Sequence, residues 1–345
     1  MSNEKKKFNR KAVTQHHLFL PIVCLLVVLL VNVIKTPDCF VISMKGGVLY
    51  GYLVDVVNRA SELVIVAIGM TLVTAASGGQ DISVGAVMAV AASVCCQILS
   101  GGQVSTDTLM NSMALAIIAA IIVAGLCGAF NGFLVANLGI QPMVATLILY
   151  TAGRGIAQLV TKGQITYVRV DSFKVMGGYI GKCPIPTPIF FAIAAIILIN
   201  IILKKTALGL YIESVGINGS ASRLVGLNST MIKFLTYVIC GVLAGVAGIV
   251  ASSRIYSADA NNIGLGGNVL SGGKFSIMGS VIGAYTIQAL TTTLYAMAVS
   301  ADQLPVYKAI VVIIIVVIQS PVFRRNMEAW KQKRALRNKA MEGGH

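Results

Sequence analysis

Side chains that could catalyse a reaction or hold a metal ion are scarce in this sequence of 345 residues. Its three histidines, His16, His17 and His345, lie outside every apolar stretch, and its 12 acidic residues do not recur in pairs at helical spacing. Metal binding and acid–base catalysis both need several such groups brought together. The sequence therefore predicts no catalytic residue and no metal site.

The segment Gly267–Phe275 comes nearest to a nucleotide-binding loop. A phosphate-binding P-loop needs a glycine five residues before its Gly-Lys pair, and a serine or threonine directly after that pair. Asn268 and Phe275 occupy these two positions. We therefore expect that the chain itself binds no ATP, and we predict no cofactor for it.

The segment Gly78–Gly85 separates two apolar runs by only a few residues. Asp81 or Ser83 could cap the helix that follows, because their side chains can accept hydrogen bonds from its first N–H groups. A capped helical hairpin would explain the pattern. Alternatively, a glycine-interrupted helix at membrane depth exposes backbone polar groups to a passing solute. Both interpretations stay open.

A second polar pattern lies in the segment Glu213–Asn228. Asn218 is a good N-cap and Gly226 is a good left-handed stop, so about two turns of helix are expected between them. Two isolated turns would be unstable in water. We therefore expect this short helix to dock against another surface.

Nine long apolar stretches must position these motifs. Most approach the roughly 20 residues with which a helix crosses a hydrocarbon core about 30 Å thick, and lipid requires such runs to be helical. The sequence predicts an all-α, polytopic transmembrane bundle of about nine to ten membrane helices. The stretches are Leu18–Ile34, Ser61–Ser77, Ile82–Leu99, Ala114–Ala136, Pro142–Thr161, Thr187–Leu203, Met231–Ala251, Ser276–Val299 and Pro305–Ser320.

The distribution of charge predicts the orientation of this bundle. The composition is 56% hydrophobic and 11% charged, with a net charge of +15 that would suggest nucleic acid as the partner of a soluble protein. Here residues 1–17 carry +4, residues 204–233 carry +3 and residues 320–345 carry +5. The positive-inside rule places all three in the cytoplasm. We expect a basic N-terminus (1–17), a membrane domain (18–320) and a basic tail (321–345), with no nucleic-acid partner.

Counting membrane crossings tests that orientation. Six stretches separate the basic N-terminus from the 204–233 loop, an even number, so both can be cytoplasmic. Three stretches separate that loop from the basic tail, an odd number, so both cannot be. Either one stretch is re-entrant or a span is missing, and the glycine-rich region Ser257–Lys274 is the candidate.

Several motifs together resemble one family of membrane permeases. Glu213–Gly226 resembles the EAA-like coupling loop of ABC-importer permeases, and Gly78–Gly85 looks like the Gly-Gly-Ile-Asp-Leu-Ser-Val-Gly signature of the ribose/xylose/galactose permease family. Gln141–Leu147 and Ala152–Gln158 match further family segments, and the resemblance covers about residues 19–320. The segments that look most like a galactofuranose-type permease are Asn58–Ala60, Lys205–Gly209 and Ala258–Asn262.

The resemblance implies a type II ABC-importer permease that moves a monosaccharide, such as galactofuranose, galactose or ribose, into the cytoplasm by alternating access. It also implies a bacterial inner (plasma) membrane location with both termini cytoplasmic. The implied partners are an ABC ATPase that binds ATP and Mg²⁺, an extracytoplasmic sugar-binding protein, and a second permease copy or paralogue.

The same resemblance implies two groups of functional residues. The first group would couple the permease to the ATPase through the loop 204–230: Glu213, Gly216, Asn218, Ala221, Arg223, Leu224 and Gly226. The second group comprises candidates for the translocation path: Asp81, Ser83, Asn131, Thr146, Arg154 and Gln158.

One departure from the family pattern concerns the region Ser257–Lys274. The family normally has a Glu-Leu-Asp-Ala-Ile segment here, whereas Asn262–Leu265 runs directly into Gly266-Gly267. About a dozen residues are lacking, equivalent to about 18 Å of helix. We therefore predict that part of a spanning or half-spanning helix is missing after Leu265.

Two other classes of membrane protein could produce a similar sequence. A proton-coupled secondary transporter usually needs an intramembrane carboxylate, for which Glu62 and Asp81 are the candidates. A non-transporting membrane scaffold would explain the shortened region but not the retained coupling motif. Dependence of uptake on an ATPase separates the importer from both alternatives.

Overall fold

The computed structural model describes residues 19–35, 41–45, 47–181, 183–264, 276–300 and 303–319. Each of the nine predicted apolar stretches contains a helix there, and three short helices lie in the connections. The helices are α1 (Phe19–Lys35), α2 (Tyr52–Ser77), α3 (Val84–Leu99), α4 (Met113–Gly132), α5 (Pro142–Val160), α6 (Asp171–Gly177), α7 (Thr187–Lys205), α8 (Ala207–Ile217), α9 (Gly219–Leu224), α10 (Ser229–Ile255), α11 (Ile277–Ala296) and α12 (Leu304–Gln319).

Six of the described helices are long and apolar enough to cross a membrane: α2, α4 with its π-helical extension Phe133–Asn137, α5, α7, α10 and α11. Three other helices that fill predicted stretches are shorter. They are α1 with 17 residues, α3 with 16 and α12 with 16. The chain is therefore an all-α polytopic membrane protein, as predicted.

Helix α2 begins nine residues before the predicted stretch, at Tyr52 rather than Ser61. The early turns contain Asp55 and Arg59, whose charges conceal a helix from a search for apolar residues, and Glu62 follows at the start of the predicted stretch. In the structure these charges are paired. Arg59 lies 3.6 Å from Asp55 one turn earlier, and Glu62 binds Arg254 on α10.

The chain divides into two compact units, residues 38–288 and residues 1–37 with 289–345. In the larger unit α10 is the central helix and packs against α4, α2 and α3, while α3 also packs against α5. Within the smaller unit, the buried Asn32 of α1 donates a hydrogen bond to Thr293 Oγ1 of α11 at 2.7 Å.

Glycine pairs allow the central helices to touch. A Cβ atom added to Gly128 of α4 would overlap the carbonyl oxygen of Tyr237, and one added to Gly241 of α10 would lie 2.5 Å from the carbonyl oxygen of Ala124. Small residues of this kind let helix backbones approach closely in membranes. Gly283, in contrast, has no neighbour within 4 Å of such a Cβ.

The connections between helices contain short strands that pair with one another. Strands β1 (Ser43–Lys45) and β2 (Val48–Tyr50) form an antiparallel hairpin. Strand β4 (Thr166–Val168) pairs in parallel with β3 (Ser105–Thr106) and antiparallel with β5 (Ser257–Ala258). This sheet gathers the connections that follow α3, α5 and α10 on one side of the bundle.

Three predicted features lie outside the described residues. They are the basic N-terminus (1–17), the basic tail (321–345) and the stretch 265–275 that contains the predicted gap. The missing-helix interpretation therefore stays a prediction. The described part of that region, Ser257–Gly264, is considered with the candidate site.

Candidate translocation path and coupling loop

Three of the predicted path residues form one buried hydrogen-bonded cluster before α3. Asp81 Oδ1 accepts bonds from the backbone N–H of Ser83 at 2.9 Å and from its hydroxyl at 2.6 Å. Asn131 Nδ2 on α4 donates to Ser83 Oγ at 2.7 Å. Asp81 is 3% exposed and the other two side chains are fully buried. The cluster therefore links the break between α2 and α3 to helix α4.

Of the two predicted helix caps, the one by Ser83 is not formed. Ser83 is the residue directly before α3, but its side chain makes no hydrogen bond to the first N–H groups of that helix. Instead Asp81 binds the N–H of Ser83 itself, in a turn two residues long. The polar pattern of Gly78–Gly85 thus holds the break together and joins it to neighbouring helices.

Thr146 joins the same break to α5. Its hydroxyl accepts a hydrogen bond from the backbone N–H of Ile82 at 3.2 Å and donates to the carbonyl of Pro142 at 2.9 Å. A Cβ on Gly79 would overlap the ring of Pro142, so the chain passes the start of α5 in direct contact.

Arg154 and Gln158 lie one turn apart on α5 and bind the segment that follows β5. Arg154 Nη1 donates to the carbonyls of Ala260 at 2.6 Å and Ile263 at 2.7 Å. Gln158 Nε2 donates to Asn261 Oδ1 at 2.8 Å. Arg154 is half-buried and Gln158 is exposed, so this group is more open than the cluster around Ser83.

The two groups meet at the start of α3. Gly264 has a positive φ of 77°, and a Cβ there would overlap the backbone of Gly85. The six predicted path residues therefore surround one region, formed by the first turn of α3, one face of α5 and the segment Ser257–Gly264. Four of them are buried, so in this conformation they close the region rather than line an open channel.

The course of Ser257–Gly264 bears on the crossing count. It starts at β5, which pairs with β4 where Thr166 donates a hydrogen bond to Gln97 near the C-terminal end of α3, and it reaches Gly85 at the opposite end of that helix. Its one helical turn is closed by the Ile263 N–H bond to the carbonyl of Asp259. The segment therefore runs along α3, and both alternatives for the crossing count, a re-entrant stretch or a missing span, stay predictions.

Sequence reasoning did not identify Ala260, Asn261 and Ile263 as the partners of Arg154 and Gln158. Two of the contacts use backbone carbonyls, which leave no trace in residue types. The run of Asp259, Asn261 and Asn262 between apolar segments was the available signal. Asp259 Oδ1 accepts bonds from the N–H groups of both asparagines, so the run shapes its own turn.

Replacing Thr146 by Ala is expected to destabilise the protein by about 1–3 kcal/mol, because the partly buried N–H of Ile82 loses its acceptor. Thr151 on the same helix is the matched control. It is exposed and bonds only to carbonyls of its own helix, so Thr151→Ala should change stability little. Unfolding of the purified variants in detergent measures both effects. Equal stability of the two variants would contradict the role given to Thr146.

The coupling loop contains the predicted short helix. Asn218 Oδ1 accepts hydrogen bonds from the N–H groups of Ser220 and Ala221 and so caps α9. Gly226 has the left-handed φ of 86° that was expected for the stop. Helix α9 has six residues, slightly less than the predicted two turns.

Apolar side chains cover the exposed side of this loop. Ile217 is 80% exposed, Leu224 90% and Val225 77%. Glu213 and Ala221 are also exposed. Three apolar side chains this open, on a loop whose backbone is fixed by caps, are typical of a docking surface.

Two predicted coupling residues contact the helix bundle of the chain itself. Arg223 Nε donates to Ser229 Oγ at 2.6 Å and its Nη2 donates to Thr230 Oγ1 at 3.0 Å, so its guanidinium ties α9 to the start of α10. A Cβ on Gly216 would overlap the carbonyl oxygen of Ala75, so the end of α8 lies directly against α2.

The sequence of the chain matches a known family of permeases. Residues 52–319 match the family described as the permease component of the branched-chain amino acid transport system. The chain belongs to this family. The match spans every described helix except α1, so the permease fold accounts for nearly the whole membrane domain. The chain is a multi-pass membrane permease.

Curated relatives extend the match over most of each chain. The galactofuranose transporter permease protein of Escherichia coli (strain K12) is 40% identical over 314 residues, covering 88% of this chain and 89% of the relative. The fructose import permease protein of Bifidobacterium longum (strain NCC 2705) is 37% identical, covering 86% and 85%. The ribose import permease protein of E. coli (strain K12) is 29% identical, covering 87% and 92%.

Proposed function

We propose that the chain is the permease subunit of an ABC importer that carries a monosaccharide into the cytoplasm. The single observation that carries the proposal is the capped, apolar α9 loop, held against α2 and α10 and open on its outer side. Such a surface is suited to bind a partner protein whose movement is passed to the permease. The names of the relatives supply the substrate class, since three of them are permeases for galactofuranose, fructose and ribose.

The proposed partners follow from the same surface and the family. An ATPase subunit binds ATP and Mg²⁺ and docks on the α9 loop, which puts that loop in the cytoplasm of a bacterial cell with the permease in its inner membrane. The net positive charges of residues 1–17 and 320–345 support a cytoplasmic location for both termini as well. A sugar-binding protein delivers the monosaccharide from outside. A second copy or a paralogue completes the permease. The region around Asp81, Arg154 and Gln158 opens during transport to form part of the path.

Proton-coupled transport fits the contacts less well. Among the described residues the buried carboxylates are Glu62 and Asp81. Glu62 is held by both terminal nitrogens of Arg254, at 2.8 and 2.9 Å, and Asp81 is bound by Ser83. A proton relay needs a carboxylate that can exchange its partner during the cycle, whereas both groups here hold the bundle together.

Placing a charge among the exposed apolar residues of the α9 loop is expected to abolish binding of the ATPase. Leu224→Asp would bury a carboxylate in an apolar interface, which costs several kcal/mol, while Leu224 is 90% exposed in the permease alone and contributes little to its fold. Ser220→Asp places the same charge near the N-terminus of α9, where it is favourable, and serves as the control. Retained ATPase binding by purified Leu224→Asp would contradict this docking surface.

The proposal as a whole is tested by purifying the permease with candidate ATPase and binding-protein subunits and measuring ATP hydrolysis. We expect stable co-purification and a rate of hydrolysis that rises when the binding protein and its monosaccharide are both added. Hydrolysis that rises with leucine and not with any monosaccharide would instead favour an amino-acid substrate.

A further inference from the structure

Helix α8 touches α2 backbone to backbone. A Cβ on Gly216 would overlap the carbonyl oxygen of Ala75 and lie 3.0 Å from its carbonyl carbon. Ile212 and Val215, on the same face of α8, are buried. No side chain separates the two helices at Gly216. Because the backbones are in direct contact, with no space between them even for a methyl group, a displacement of α8 toward α2 is passed to α2 at this point.

The end of α2 leads directly into the polar cluster. Gly78 stops the helix three residues after Ala75, with a left-handed φ of 70°. Gly79 then lies against the ring of Pro142, and the N–H of Ile82 binds Thr146. The break after α2 is thus attached to the first two turns of α5, and through Ser83 and Asn131 to α4.

On its other side, α8 is continuous with the docking surface. Asn218 both follows α8 and caps α9, so the two helices share one fixed joint. Arg223 on α9 donates a hydrogen bond to Ser229 at the start of α10. Helix α8 is the part of the loop that contacts α2. A partner that displaces the exposed Leu224 and Val225 would therefore also displace Gly216, because α9 and α8 are joined directly at Asn218.

We propose that the contact between Gly216 and Ala75 transmits movement of the ATPase to the polar cluster that closes the path. Gly216 is then a positioning residue: it binds neither the ATPase nor the substrate, and its lack of a side chain keeps α8 seated on α2. The inference rests on the proposed function, because it assumes that an ATPase moves the loop.

Two variants interrupt this connection at successive points. Gly216→Ala places a methyl group between α8 and α2, although alanine forms helices better than glycine by about 1 kcal/mol, so α8 itself is not weakened. Gly79→Ala separates the break from Pro142 without touching α8. Gly219→Ala is the matched control, since its Cβ would approach Lys233 Nζ only to 4.0 Å.

The readout is the rate at which maleimide labels Gln80→Cys in a background without the seven native cysteines. The half-buried Gln80 lies in the break itself. The permease, purified with its ATPase subunit, is labelled without nucleotide and with ATP plus vanadate. In the parent and in Gly219→Ala we expect the rate to change by about threefold or more, as the populations of two conformations shift.

Gly216→Ala and Gly79→Ala are expected to retain the ATPase subunit and to hydrolyse ATP, but to lose the nucleotide-dependent change in labelling. Their uptake should fall by about tenfold, within the usual range of coupling between distant sites. If either variant can be purified in a folded state and its labelling rate changes with nucleotide as in the parent, the inference is overturned. If only one of the two variants folds, the result for that variant is the test. A parent complex that responds to nucleotide but transports no monosaccharide would contradict the proposed substrate and leave the transmission result standing.

Discussion

Replacing Arg254 by Met, with Glu62 left in place, is expected to destabilise the permease by about 3–5 kcal/mol, because a buried charge loses its partner. Glu62 is 7% exposed, and both of its carboxylate oxygens face terminal nitrogens of Arg254 at 2.8 and 2.9 Å. The pair joins α2 to α10, the central helix of the larger unit. Unfolding of the purified variant in detergent measures the loss.

Two controls make this prediction specific. Asp55→Asn removes the exposed ion pair with Arg59, which lies one turn later on α2 at a distance of 3.6 Å. This substitution should lower the free energy of unfolding by no more than about 1 kcal/mol. The double variant Glu62→Gln with Arg254→Met removes both charges and should recover much of the loss. A loss of stability in Arg254→Met no larger than that in Asp55→Asn would contradict the importance of the pair.

Gly128→Ala is expected to destabilise the bundle by about 1–3 kcal/mol through overpacking. The new methyl group would overlap the carbonyl oxygen of Tyr237 and approach Gly241 Cα to 3.1 Å, so α4 and α10 would have to separate. Both contacts involve backbone atoms, which cannot rotate away as a side chain can.

The same substitution one turn earlier provides the control. A Cβ on Gly125 would lie 3.4 Å from Val242 Cγ2, an ordinary contact, so Gly125→Ala should leave stability unchanged or raise it slightly. Thermal unfolding of the two purified variants compares them directly. If Gly128→Ala is as stable as Gly125→Ala, the close crossing of α4 and α10 is not what holds these helices together.

Features that depend on local pattern could be predicted from the sequence. Apolar length alone located all nine stretches, because lipid leaves no alternative to a helix. The α9 loop was also predictable, since Asn218 and Gly226 act on neighbouring backbone groups. The same locality explains the error at α2, where the charges of Asp55 and Arg59 concealed nine helical residues. These two side chains pair with each other across one turn of the helix.

Contacts between distant segments could not be predicted in the same way. Arg154 binds carbonyl oxygens more than 100 residues away, and Arg223 turns toward α10 rather than toward an external partner. Glycines four residues apart, which occur in the sequence at Gly128 and Gly132, Gly241 and Gly245, and Gly279 and Gly283, were only partly informative about close helix contacts. Gly128 and Gly241 meet at a helix crossing, whereas Gly283 has the same spacing from Gly279 and no close neighbour in the described residues.

The central claim, that ATP drives a monosaccharide through this permease, is tested most directly by uptake into proteoliposomes. The permease and its ATPase subunit are reconstituted with ATP trapped inside, and radiolabelled galactose, fructose or ribose is supplied outside with the binding protein, with leucine as the comparison. The account predicts accumulation of at least one monosaccharide, lost when ATP is replaced by a non-hydrolysable analogue. Accumulation of leucine alone, or sugar uptake that needs a proton gradient and not ATP, would contradict it.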